Sequence, residues 1–132
     1  MPSTPLQLMP SALEFVAERH LATLTTLRSD GTPHVVAVGF TWDQDAGIAR
    51  IITSGTSQKA LNAARGGYGA VSQVDGARWL TLEGPTRVLT DAESVADAVA
   101  RYAVRYRQPR VNPARVAILI DVSRMLGSSS LR

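Results

Sequence analysis

The sequence predicts a mainly β chain with short helices whose strands close into a barrel, and three observations carry that expectation. Six segments have strand length and strand composition: 21–27, 33–43, 47–54, 68–74, 77–90 and 116–122. The Asp30-Gly31 and Asp75-Gly76 pairs mark tight reversals, so the strands they join run antiparallel. Segment 33–43 is apolar on both faces and needs cover on both sides, for which a dimer interface is an economical source. Together these favour a closed barrel over a doubly wound sheet.

The elements follow in order. Ser11-Ala12-Leu13-Glu14 reads as a capping box opening a helix over 11–19, with Leu13, Val16, Ala17 and His20 at helical spacing. Period two then takes over, with Leu21, Thr23, Thr25 and Leu27 set against Ala22, Leu24 and Thr26. After the turn at 29–32 come the strand 33–43, a second turn at 44–47 and the strand 47–54. Ser57 caps a short helix over 57–65. The strand 68–74 turns into the long strand 77–90, which Gly84-Pro85 bends. Asp91 caps the longest helix, with Val95, Ala98, Val99, Tyr102 and Tyr106 as its buried stripe. A two-proline loop over 108–113 precedes the last strand, and the tail 127–132 is expected to be loosely held.

The 132 residues, 45% of them apolar, are expected to form one domain, 1–132, with a substantial core. The longest apolar run, 35–40, is too short for a helical bilayer span. The opening MPSTPLQLMPS has no basic n-region and does not read as a secretory leader, so a cytoplasmic protein without membrane partners is expected. There is no cysteine for disulfide or thiolate chemistry, and His20 and His34 are too few for a histidine metal cluster. Net charge is +3, with thirteen arginines and a single lysine among the fourteen basic residues. The arginines are dispersed, without a basic block or interleaved aromatics, which argues against a nucleic-acid partner and for a small acidic molecule.

The chemistry concentrates at 50–62. Arg50 precedes a helix start that carries Gln58 and Lys59, and two cations near such a start form a phosphate-site pattern. A solvated Lys59 and an exposed Arg50 are the bland alternative. Arg50 shares its strand face with Ile52 and Ser54, which turns Thr53 the other way. Ala37 and Gly39, small residues on one face, leave room for a flat ring or simply pack tightly. His34 reads first as a structural histidine. Gly76-Ala77-Arg78-Trp79 joins exposed amides, a guanidinium and a large aromatic in one turn. Arg101, Arg105, Arg107 and Arg110 lie late in the long helix and just beyond it, either complementing its C-terminus or forming a basic rim for a carboxylated substrate.

The ordered set ERHLATLTTLRSDGTPHVVAVGFTWD, Arg50-Ile51-Ile52-Thr53, Ser57-Gln58-Lys59-Ala60-Leu61-Asn62 and QVDGARWLTLEG resembles the flavin/deazaflavin oxidoreductases of the pyridoxamine 5'-phosphate oxidase-like class. Within that class it is most similar to the mycobacterial reductases that use the deazaflavin coenzyme F420 to reduce biliverdin. The resemblance implies a six-stranded antiparallel split β-barrel, a homodimer and hydride transfer to a conjugated acceptor such as biliverdin. It implies that His34, Val35, Val36, Ala37 and Val38 run beside the ring, and that Arg50, Gln58 and Lys59, assisted by Asn62, hold the phosphate. Gly76, Ala77, Arg78 and Trp79 would reach the cofactor from the other subunit, and Arg101 and Arg105 are the candidate substrate residues. An FMN-dependent oxidase is the first rival, although the arginine- and tryptophan-containing C-terminal signature of those oxidases is missing. A carrier of deazaflavin or tetrapyrrole without turnover is the second. Hydride transfer depends on register between two carbons and requires no nucleophile or triad.

Overall fold

The computed structural model describes residues 4–132; residues 1–3, part of the segment read for a leader, lie outside the described residues. It contains α1 (Pro10–Ala17), β1 (Ala22–Leu27), β2 (Pro33–Val38), β3 (Phe40–Asp43), β4 (Ile48–Ser54), α2 (Gln58–Ala64), β5 (Tyr68–Asp75), β6 (Arg78–Leu89), α3 (Ala92–Arg105), β7 (Arg115–Asp121) and β8 (Arg124–Gly127). Every strand pairing is antiparallel. The strand order is β2-β1-β5-β6-β7-β4-β3, with β8 on β6.

Eight strands replace the six expected, for two reasons. The strand read over 33–43 breaks at Gly39, so β2 pairs with β1 while β3 pairs with β4. A Cβ at Gly39 would lie 2.9 Å from the Tyr106 ring and 3.1 Å from the Tyr102 ring, so two α3-side tyrosines occupy that space. The second addition is β8, which pairs Leu126 with Thr81 across the edge of β6. The chain joins β2 to β3 and so closes the ring where the strand order ends.

The bend expected at Gly84-Pro85 is where β6 changes partners. Its first part pairs with β5 and β8, and from Thr86 onward it pairs with β7. A Cβ on Gly84 would collide with the Asp121 carbonyl oxygen, so only glycine permits this crossing. Two sheets that share β6 and the continuous β2–β3 segment make a split barrel. Its interior holds Phe15, Leu24, Phe40, Ile51, Leu82 and Ile118, each at most 1% exposed. Outside the ring, α3 lays Ala98 against Ile48, Ala117 and Leu119; the rest of its expected stripe is only half-buried.

Two terminal expectations are corrected. No capping box forms: α1 starts from Met9 with Pro10 in its first turn, where the missing amide is no loss. The Ser11 hydroxyl instead donates to the Ser130 carbonyl at 2.8 Å, and Leu131 is 2% exposed in the core. The tail is therefore anchored.

Arg105 joins the parts. Its guanidinium donates to the carbonyls of Glu18 (2.9 Å), His20 (3.3 Å) and Phe40, and to Gln73 Oε1 (2.6 Å). The fully buried Gln73 passes the link on, donating to the Phe15 carbonyl at 2.8 Å. The guanidinium also lies 4.7 Å from the Phe40 ring centroid. Truncating this side chain leaves several half-buried acceptors unpaired, so Arg105→Ala is expected to destabilise by at least about 3 kcal/mol. Urea unfolding checks this; a loss below about 1 kcal/mol is incompatible with a buried hub.

Candidate functional site

β4 alternates strictly, sending Ala49 and Ile51 into the barrel and Arg50 and Ile52 under α3. At its end the Thr53 hydroxyl donates to Ser57 Oγ (3.0 Å), which accepts the Ala60 amide (3.3 Å) and starts α2. That turn brings Lys59 beside Thr53. Both line a cleft of about 290 Å³ with Ala37, Gly39, Tyr102 and Arg115.

The far wall is the loop between α3 and β7. Asn112, which also lines the cleft, donates its side-chain amide to Ser54 Oγ at 2.9 Å, and the Gly55 amide donates to the Ala114 carbonyl at 2.8 Å. Arg115 is held by the Arg110 carbonyl at 2.7 Å. No carboxylate lines the cleft, and neither Lys59 nor Arg115 has an ion-pair partner among the described residues. Two cations with an amide, and no acid, can hold a phosphate.

The expected convergence of Arg50 and Lys59 on one anion is not formed. Arg50 points under α3, where it donates to Asp43 Oδ2 at 2.9 Å and lies 3.7 Å from Asp97. Arg101 sits in the same network, 3.0 Å from Asp97 and 3.4 Å from Asp43. The fold thus joins residues read as parts of two different sites into one structural ion network. Arg105 spends four hydrogen bonds on the acceptors described above, and with Arg101 it lines a hollow of about 390 Å³ beside Thr41, Trp42 and Val104.

The remaining expected residues divide. Ala37 and Val38 line the cleft. Val35 is exposed on the outer face of β2, whereas Val36 packs against the core. His34 lies opposite Thr26, and its Nδ1 is a buried side-chain atom without a hydrogen-bond partner among the described residues. Gln58 is exposed and donates to Asn62 Oδ1 at 2.7 Å. Asn62 is buried at 3% exposure, ties α2 to Thr26 (3.1 Å) and does not line the cleft. In the turn at Gly76 and Ala77, Arg78 is paired with Glu18 (3.0 Å) and Asp75 (2.6 Å), while Trp79 lines a separate surface hollow. Sequence reasoning missed Tyr102, Asn112 and Arg115 as cleft residues, and it set Thr53 aside. The available signal was Asn112-Pro113-Ala114-Arg115, a cation closing a two-proline loop.

The ion network has a measurable consequence. Burial acts to raise the Asp43 pKa, but hydrogen bonds from Arg50 and the Ala46 amide and the charges of Arg101 and Arg50 outweigh it, leaving the carboxyl below its ordinary range. A depressed carboxylate contributes stability above the unfolded value of about 4 and loses it as pH falls through the lower folded value. Asp43→Asn is therefore expected to be about 1.5–3 kcal/mol less stable at pH 7, with the gap closing as pH falls below about 4. Urea unfolding of both proteins across that range decides it; a pH-independent gap contradicts the network.

Comparison with known proteins places this geometry. The family model described as pyridoxamine 5'-phosphate oxidase matches residues 8–128. The chain is 58% identical over 131 residues, 99% of its length and 96% of the relative's, to an F420H(2)-dependent biliverdin reductase of Mycobacterium tuberculosis. A solved structure named F420 reductase superposes with a TM-score of 0.69 at 26% identity, covering 96% of this chain and 98% of that one. A conserved hypothetical protein of Mycobacterium tuberculosis shares the fold, with a TM-score of 0.78 at 22% identity over 97% of this chain and 88% of the other.

Proposed function

The chain belongs to the pyridoxamine 5'-phosphate oxidase family, and from that premise we propose that it is a homodimeric reductase that uses reduced coenzyme F420 to convert biliverdin to bilirubin. The observation that carries this reading is the near full-length 58% identity to the F420H(2)-dependent biliverdin reductase. The cleft fits such a cofactor: Lys59 supplies an ammonium for its phosphate, and Arg115 a second cation for further anionic groups of the tail. The chemistry that F420 supplies when bound is hydride donation.

The protein's own task is binding, orientation and exclusion of water. Lys59 fixes one end of the bound molecule, and the exposed edge of β2 at Val35 and Ala37 lies beside the other. Arg50 keeps β4 in place beneath α3 and acts on the site only through position. Gln58 and Asn62 set the orientation of α2, and hence of Lys59.

The outer face of the sheet supports the dimer. Thr25 stands between Val35 and Ala70, and Ala70 faces Glu83; one row along, Thr23 stands between Ala37 and Ser72, followed by Thr81 and Leu126. Glu83 and its β8 neighbour Arg124, 3.7 Å away, are the only charges in those rows. Val35 and Val74 are each 57% exposed on this face. A broad, flat face of small and apolar side chains suits packing against a second copy. The cleft reaches this face at Ala37, so a partner's Gly76–Trp79 turn could close it.

Three measurements test the reading. Anaerobic mixing of reduced F420, biliverdin and catalytic amounts of protein is expected to give sustained bilirubin formation; binding without turnover marks a carrier, and tight FMN binding with negligible F420 affinity marks an oxidase. Lys59→Ala is expected to weaken F420 binding by about 1.5–3 kcal/mol, roughly 10- to 150-fold, in a cofactor-fluorescence titration. Unchanged affinity in that variant moves the phosphate elsewhere. Sedimentation is expected to report a dimer that Val35→Glu converts to monomer, since a carboxylate buried there has no partner.

A further inference from the structure

We infer that a second cleft, between the end of α1 and the end of α3, receives the acidic acceptor, with Arg19 and Arg107 pairing with its two carboxylates. The inference rests on the function proposed above and assigns the substrate position within it. The cleft has a volume of about 380 Å³ and is lined by Arg19, His20, Leu21, Tyr102, Tyr106 and Arg107. It shares Tyr102 with the cleft of Lys59, and a hollow over Thr23 borders both, sharing Ala37 with the one and Leu21 with the other, so a cofactor ring seated there would meet an acceptor directly.

Its chemistry selects a flat dianion. Tyr102 and Tyr106 present two rings with centroids 4.8 Å apart and planes tilted by 32°, and Leu21 adds an apolar surface that is 60% exposed. No acid lines the cleft. Arg19 and Arg107 form no ion pair among the described residues, whereas Arg101 is committed to Asp97 and Asp43. Two uncompensated guanidiniums flanking aromatic faces match a linear tetrapyrrole with two propionates.

The walls are fixed before any ligand arrives. The Tyr106 hydroxyl donates to the His20 carbonyl at 2.7 Å, and Arg105 bonds the carbonyls of Glu18 and His20 on either side of Arg19. The Arg19 backbone is thereby held while its side chain stays exposed. Arg105 thus serves as a positioning residue for the acceptor cleft, and Arg19 and Arg107 serve as its contacts.

The test compares biliverdin with its dimethyl ester, which keeps the conjugated body and removes both charges. Dissociation constants are read by tetrapyrrole absorbance for the full-length wild type and for Arg19→Gln/Arg107→Gln, with F420 affinity and thermal melting measured in parallel. Wild type is expected to prefer the free acid by roughly tenfold or more, and the double variant is expected to lose that preference while binding F420 normally and melting at the same temperature. Restoration of part of the preference by Arg19→Lys/Arg107→Lys supports charge pairing. A double variant that keeps the full preference overturns the cleft assignment and leaves the proposed function standing. A wild type that binds neither tetrapyrrole overturns both.

Discussion

One half-buried guanidinium that forms no ion pair among the described residues ties α3 and the α1–β1 connection to the sheet. Arg105 ends α3, yet its donors go to backbone on the α1–β1 connection and at the start of β3, and to a buried glutamine on β5. Burial draws its pKa below the ordinary arginine value, with Tyr106 and Glu18 opposing the shift. A cation in that position is tolerated because neutral carbonyls and aromatic faces solvate it in place of water. Both clefts inherit their shape from this knot. Tyr106 is its immediate neighbour and forces the glycine at position 39, and Tyr102, one turn earlier on α3, lines both clefts.

The distribution of counter-ions separates structural cations from candidate binding cations more cleanly than their sequence positions do. Arg50, Arg78, Arg87 and Arg101 each have a carboxylate within 3.4 Å, and those pairs hold elements together. Lys59, Arg115, Arg19 and Arg107 lack such partners among the described residues and line concave surfaces without acids. Charge left uncompensated in a cleft is available to a ligand, whereas charge already paired must first break its pair. By this criterion Lys59 and Arg115, rather than the ion-paired Arg50, are the cations left free for an anion.

Much of the barrel was legible in the chain because its signals are local. Period-two alternation, the Asp-Gly turns, the Ser57 and Asp91 caps and the Gly84-Pro85 bend all act within a few residues. Lys59 was legible for the same reason, standing in the first turn of a capped helix. The failures lie where the deciding partner is distant in sequence. Gly39 reads as room for a ring until the tyrosines after it in the chain fill that room. Ser11 and Glu14 form a capping-box pattern, but Pro10 starts the helix earlier and Ser130 takes the serine hydroxyl. Leu131 looks like a free end until the barrel offers it a pocket. Asp43 precedes Arg50 by a single hairpin, and register alone decides that they meet.

The crossing at Gly84 bears on how this protein comes apart. Because one uninterrupted strand belongs to both sheets, neither sheet can open along that seam without stripping hydrogen bonds from the other. Amide protons on β5 and β7, which flank the two halves of β6, should therefore exchange through one shared opening event rather than two. A molecule built this way has little freedom to breathe between its sheets, and its adaptability is confined to the helices and loops that border the clefts.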